Sequence, residues 1–165
     1  MNIRFEQPGD IEKIRKVHLK AFEANTEANL VESLRNSGVE LISLLAEENG
    51  EVIGHILFSP VTMDGDIKIM GLAPMAVLPN WQRKGAGKQL INEGLKACEK
   101  VGYGAVVVLG HPDYYPQFGF VPSVNFGIKS EYDVPPEVFM VKELQKGALK
   151  GISGTVKYYQ VFNEV

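Results

Sequence analysis

The stretch Met75-Ala76-Val77-Leu78-Pro79-Asn80-Trp81-Gln82-Arg83-Lys84-Gly85-Ala86-Gly87-Lys88 carries the most information in this chain. An apolar run of strand character passes into a loop with two glycines. The loop opens a helix on which Leu90, Ile91, Leu95 and Cys98 recur on one face, predicted over residues 87–100. Small side chains at Gly85, Ala86 and Gly87 let an anion approach the backbone closely. The first turn of a helix leaves N–H groups unpaired, and its dipole makes that end electropositive. Arg83, Lys84 and Lys88 add cationic charge around the rim. The pattern suits a diphosphate held by main-chain donors. Two other nucleotide loops fit worse. A G-x-x-x-x-G-K-[ST] loop ending at Gly87-Lys88 would need glycine at Gln82 and a hydroxyl at Gln89. A G-x-G-x-x-G fingerprint starting at Gly85 reaches Leu90 where its third glycine belongs.

Outward from this loop the periodicities alternate. Downstream, Gly102 ends the helix and Ala105-Val106-Val107-Val108-Leu109 reads as a strand buried on both faces, which makes a parallel βαβ unit with a right-handed crossover. Upstream, residues 67–78 form a long apolar run interrupted by Pro74, whose missing N–H predicts a bulge or an exposed edge. Residues 41–48 and 52–59 are strand-like and flank Asn49-Gly50, a tight-hairpin signal. Residues 2–7 alternate as a strand. Asp10 is expected to cap a helix with Ile11, Ile14, Val17, Ala21 and Phe22 on one stripe, and a second helix is expected over 27–36, ended by Gly38. Near the C-terminus, residues 138–143 and 155–162 read as strands, with a turn-rich connection at 147–154.

Gln82-x-x-Gly85-x-Gly87 between an apolar strand and a helix resembles the acetyl-CoA motif of the GNAT superfamily of N-acetyltransferases, Q/R-x-x-G-x-G/A. Tyr115-Pro116-Gln117-Phe118-Gly119-Phe120 resembles the Y-x-x-x-G-F segment after that family's next strand. The likeness covers roughly residues 2–122, and Phe139 to Leu144 looks like the tail of a bacterial subgroup. It implies one GNAT-like domain over 1–165 of α/β (α+β) class. The expected architecture is a mixed central sheet of about six or seven strands, splayed at the cofactor, with helices on both faces. It also implies acetyl-CoA as cosubstrate, with no metal. Met75, Ala76 and Val77 would meet the pantetheine arm, and Gln82, Arg83, Lys84, Gly85, Ala86, Gly87 and Lys88 would form the pyrophosphate loop. Tyr115 would be the catalytic acid at the cofactor sulfur, since a phenol of pKa ~10 is a donor at neutral pH.

The implied reaction is acetyl transfer to a primary amine of a small molecule or peptide by direct attack. A non-catalytic acyl-CoA sensor with the same fold is the alternative. The general base is open. His111 and Asp113 sit past the buried strand, but a loop-structural role suits His111 better, and His55 reads as a packing histidine. Glu23, Glu27 and Glu32 could draw a cationic acceptor. With 17 Lys and Arg against 20 Asp and Glu, the net charge of −3 gives no general pull toward nucleic acid or membrane. The single Cys98 excludes an internal disulfide, and no apolar run approaches the ~20 residues of a bilayer span. A cytoplasmic location is expected. The C-terminal strands can cover the sheet or pair with a second copy as a homodimer.

Overall fold

The computed structural model describes residues 1–164. In order the chain forms β1 (Asn2–Phe5), α1 (Ile11–Ala21), α2 (Thr26–Ser37), β2 (Ile42–Glu48), β3 (Glu51–Thr62) and β4 (Ile69–Val77). Then come α3 (Ala86–Val101), β5 (Ala105–Leu109), β6 (Val121–Pro122), β7 (Ile128–Ser130), β8 (Phe139–Glu143) and β9 (Gly154–Tyr158). Short 3₁₀ turns punctuate the connections. The chain divides into two compact units, residues 1–59, 73–94 and 160 onward, and residues 60–72 and 95–159, so that β3, β4 and α3 each run through both.

In the first unit β1, β2 and β3 pair antiparallel in succession, and β4 follows β3. The β2–β3 connection is the expected tight turn, with Asn49 at φ 52° and Gly50 at φ 79°. Two helix faces are distinguished by the parity of β3. His55 touches His18 of α1, whereas Gly54 and Phe58 face α3 through Leu90 and Gly94. α1 and α3 therefore lie on opposite faces of this part of the sheet. Gly94 is required for that packing, because a Cβ there would sit 2.3 Å from the ring of the fully buried Phe58. Ile14, Val17, Val31, Leu34, Ile53, Ile56, Leu90 and Ile91 fill this unit's core.

In the second unit β4 and β5 pair in parallel, and β8 and then β6 continue the order antiparallel. The end of β3 pairs with β9, and β9 with β7. The β4–β5 ladder covers Ile69–Gly71 against Ala105–Val107 and then lapses, although both strands run on. Val106, Val107 and Val108 are buried as the continuous apolar run implied.

Three expectations are corrected. Of the bulge and the exposed edge allowed at Pro74, the edge is ruled out, because β4 lies between β3 and β5 and Pro74 is buried; it stands three residues past the end of the β4–β5 ladder. Asp10 precedes α1 but does not cap it with its side chain. Its carboxylate turns back to Arg4 at 2.8 and 3.0 Å and to the Gln7 N–H at 2.7 Å. The strand expected over 155–162 stops at Tyr158, and a 3₁₀ turn takes over from Gln160. Among the described residues, no helix is long and apolar enough to cross a membrane.

Candidate functional site

The glycine loop begins where β4 ends. Leu78 N–H donates to Ile53 O at 2.8 Å, fixing the strand end against β3. Pro79–Trp81 makes one 3₁₀ turn, and the Gln82 side-chain amide reaches back to Val77 O at 3.1 Å. Gln82 therefore ties the loop to its strand, and its side chain is committed to that contact. Beyond it the backbone enters the left-handed region twice, at Arg83 (φ 64°) and Gly85 (φ 93°). Such a conformation is easy for glycine and costly for a residue with a Cβ, so Arg83 holds local strain of a kind found at ligand-binding turns.

The next backbone donor engaged by a main-chain acceptor is Gln89, whose N–H meets Gly85 O at 3.1 Å. Between Gln82 and Gln89, the N–H groups of residues 83–88 take no main-chain acceptor among the described residues. Alternating helical senses around such donors form a concavity for anions, and the dipole of the 16-residue α3 adds to it. Ala86 is 1% exposed, so its methyl anchors the loop inward while Gly85 and Gly87 leave the outer side free of side chains. Arg83, Lys84 and Lys88 are exposed around it. Lys84 is not wholly free, because its ammonium stands 5.2 Å from the Trp81 ring centroid. On β4, Ala76 is buried, and Met75 and Val77 are half-buried.

Tyr115 belongs to the second unit and begins a 3₁₀ turn, Tyr115–Phe118, closed by Gly119 at φ 94°. Its ring lies on Gly110, where a Cβ would come within 2.3 Å of Cε2. Edge-on contacts to Tyr114 at 5.1 Å and Phe120 at 5.6 Å complete its frame. Burial and the neighbouring Tyr114 push its phenol up to about 12, so it keeps its proton at neutral pH and can donate it. Its hydroxyl makes no hydrogen bond among the described residues. The His111 carbonyl accepts from the Tyr114 N–H at 3.1 Å and the Tyr115 N–H at 3.4 Å. Cys98 is fully buried and its thiol is pushed up to about 12, which removes it as a nucleophile. No group of three or more His, Cys, Asp or Glu among the described residues could hold a metal.

One group escaped the sequence reading. His18 is fully buried and bonded to the equally buried His55, Nε2 to Nδ1, at 2.8 Å. Its signal was present, since His18 stands four residues after Ile14 on the stripe that α1 buries.

Helices on both faces of the first unit's sheet, a lapsed parallel ladder and a donor-rich loop before α3 are the features of the GNAT class of acetyltransferases. Residues 11–120 match the model of the acetyltransferase (GNAT) family. The uncharacterized N-acetyltransferase YhbS of Escherichia coli K12 is 38% identical over 165 residues, 99% of each chain. The uncharacterized N-acetyltransferase YjhQ of the same strain is 41% identical over 134 residues, 78% of this chain and 74% of YjhQ. The crystal structure of E. coli YhbS in complex with CoA superposes with a TM-score of 0.94 at 37% identity, covering 98% of this chain and 91% of that one. A Brucella melitensis GNAT family acetyltransferase in complex with acetyl-CoA gives a TM-score of 0.82 at 35% identity, covering 98% and 97%. The chain belongs to the GNAT family and is an N-acetyltransferase of the acyltransferase class.

Proposed function

We propose that this protein takes the acetyl group of acetyl-CoA and passes it to a primary amine by direct attack, without an acyl-enzyme intermediate. The observation that carries the reading is the row of unpartnered main-chain donors at residues 83–88, set at the N-terminus of a long helix. In this reading the N–H groups of Arg83, Lys84, Gly85, Ala86, Gly87 and Lys88 hold the pyrophosphate, and Gln82 keeps the loop in register with β4. The backbone of Met75, Ala76 and Val77 pairs with the pantetheine amides as an added strand would. The complexes of the E. coli and Brucella relatives with CoA and acetyl-CoA support the choice of cofactor.

The chemistry asks for a neutral amine, although a lysine-like amine with a pKa of ~10.4 is mostly protonated at neutral pH. Positioning both reactants can supply up to ~7–11 kcal/mol of the barrier. Tyr115 donates a proton to the departing thiolate. Its raised pKa keeps the phenol protonated at neutral pH, so a hydrogen-bond donor stands ready when the sulfur leaves. The acceptor is a small molecule or an exposed amine of a peptide.

Release of free thiol from acetyl-CoA across a panel of amines tests the reading. Turnover by at least one amine is expected, and Tyr115→Phe should lower kcat by roughly 10²-fold with CoA affinity unchanged, the scale of a lost general acid. A protein that binds CoA but is accelerated by no amine would contradict the enzyme reading.

A further inference from the structure

The solvent side of α1 carries three lysines without a counter-charge. Lys13, Lys16 and Lys20 are exposed and stand three and four residues apart, so they share one face of the helix and repel one another. Among the described residues, none of the three lies within ion-pair distance of a carboxylate. The arginines of the neighbouring elements are all paired: Arg4 with Asp10 and Glu47, Arg15 with Glu32, and Arg35 with Glu6. Lys13 adds to the field that holds the Asp10 carboxyl low, but both Asp10 oxygens are already bonded to Arg4.

These lysines line one side of an open cavity of about 270 Å³. Val17 of α1, Val52 of β3 and Leu78 past the end of β4 supply its apolar surface, and the turn at Gly50–Glu51 forms the opposite rim. Val17 and Val52 are buried and Leu78 is half-buried, so that surface is recessed below the charges. A second cavity of about 340 Å³ shares Lys20, Glu51 and Leu78 with the first and continues to Pro79 and Trp81. The two make one groove, built wholly from the first unit. Trp81 stands at its far end, its ring 5.2 Å from the Lys84 ammonium, and the donor row at residues 83–88 begins beyond it.

The chemistry of the groove asks for an occupant that is anionic, elongated and partly apolar. From Lys13 to Lys20 the helix rises ~10 Å, so a single carboxylate or phosphate cannot serve the whole row. An extended peptide repeats on each side every ~6.8 Å, and acidic residues at that spacing meet the row within the reach of lysine stems. The side chains between them turn the other way, toward Val52 and Leu78. Other polyanions fit less well. Glu51 leaves the groove cationic on one side only, whereas a nucleic acid carries phosphate along its entire backbone. A lipid surface is entered by apolar side chains that protrude, and here they are recessed.

We infer that the groove between α1 and the β2–β3 turn docks an extended segment of a partner protein in which acidic and aliphatic residues alternate. Lys13, Lys16 and Lys20 hold the acids, and Val17, Val52 and Leu78 receive the aliphatic side chains. The inference does not rest on the acetyl-transfer reading, and the groove is distinct from the donor row, so the segment docks with or without CoA. Exposed ion pairs are individually weak and serve mainly to steer and orient the segment, while the recessed apolar contacts hold it. The affinity is therefore modest, with a Kd on the order of 10⁻⁵–10⁻⁴ M.

Trp81 is the single tryptophan of the chain, so its fluorescence reports occupation of the groove. The probe is a capped peptide of about eight alternating glutamates and leucines, long enough at ~3.4 Å per residue to run along the row. It is titrated by fluorescence and by calorimetry, with and without saturating CoA. Saturable binding that weakens as salt rises is expected. The variant K16E/K20E changes exposed side chains only; it should weaken the peptide at least about tenfold and bind a lysine–leucine peptide that wild type ignores, with CoA affinity within about twofold. No binding of the acidic peptide below about 1 mM, or equal binding by wild type and variant, overturns the inference. So does displacement of the peptide by CoA, which would make the groove part of the cofactor's seat. Tighter binding of oligothymidylate or of phosphatidylglycerol vesicles, lost in the same variant, overturns the protein partner in favour of a nucleic acid or a lipid surface.

Discussion

Arg83 and Gly85 bracket the donor row in left-handed backbone, and they differ in what that conformation costs. Gly85 adopts φ 93° freely, and a Cβ there would meet nothing within 4 Å. Gly85→Ala therefore isolates a backbone effect from crowding: we expect a loss of about 1–2 kcal/mol in the ordered loop, read as roughly tenfold weaker CoA binding with a nearly unchanged core. Unchanged affinity would mean that the loop does not bind in this conformation. At this scale the sequence was readable wherever a residue type answers to its own backbone. Asn49-Gly50 and Gly38 stand in the left-handed conformations expected of them. It was not readable where a side chain chooses a distant partner. Asp10 looks like a helix cap, yet a bidentate Arg4 outcompetes the capping bond, and His18 gained meaning only through His55, 37 residues away.

At the scale of elements, α3 is positioned by the missing side chain of Gly94, which lets the helix settle on Phe58. Because Phe58 is 0% exposed, its ring has nowhere to retreat. Gly94→Ala should cost about 1–3 kcal/mol by overpacking, measured by urea unfolding, and Phe58→Leu in the same chain should recover part of it. An additive double mutant would show that the two residues do not press on each other. The elements around this helix were legible because their periods differ: continuous burial for β5, alternation for β1, a stripe for α1 and α3. Misreadings came from composition without context. Residues 155–162 look uniformly strand-like, but only the part through Tyr158 finds partners in β3 and β7. The missing N–H of Pro74 allowed a bulge or an edge, and only its place inside the sheet, past a β4–β5 ladder that ends at Gly71, removes the edge.

For the whole molecule, the buried His18–His55 pair ties stability to pH. His18 and His55 are held neutral in the fold, so the unfolded chain takes up those protons first. Their contribution is complete above about 6.5 and drains as pH falls below that, the share of His18 down to about 4. Asp10 adds a second loss, since hydrogen bonds from Arg4 above all hold its carboxyl at about 2; that stability is present above 3.8 and disappears as pH falls toward 2. The urea midpoint should thus begin to fall near pH 6.5, before carboxylates titrate, and H18Q should flatten that first descent. A midpoint constant from pH 6.5 to 4.5 would contradict neutral burial of the pair. The central claim, that main-chain donors at residues 83–88 seat two linked phosphates, is tested most directly by calorimetric titration with CoA and with 4′-phosphopantetheine, which keeps the arm but has a single phosphate. The account predicts measurable CoA binding that weakens at least about tenfold for the monophosphate. Equal affinities, or no affinity for CoA in the folded protein, would contradict it.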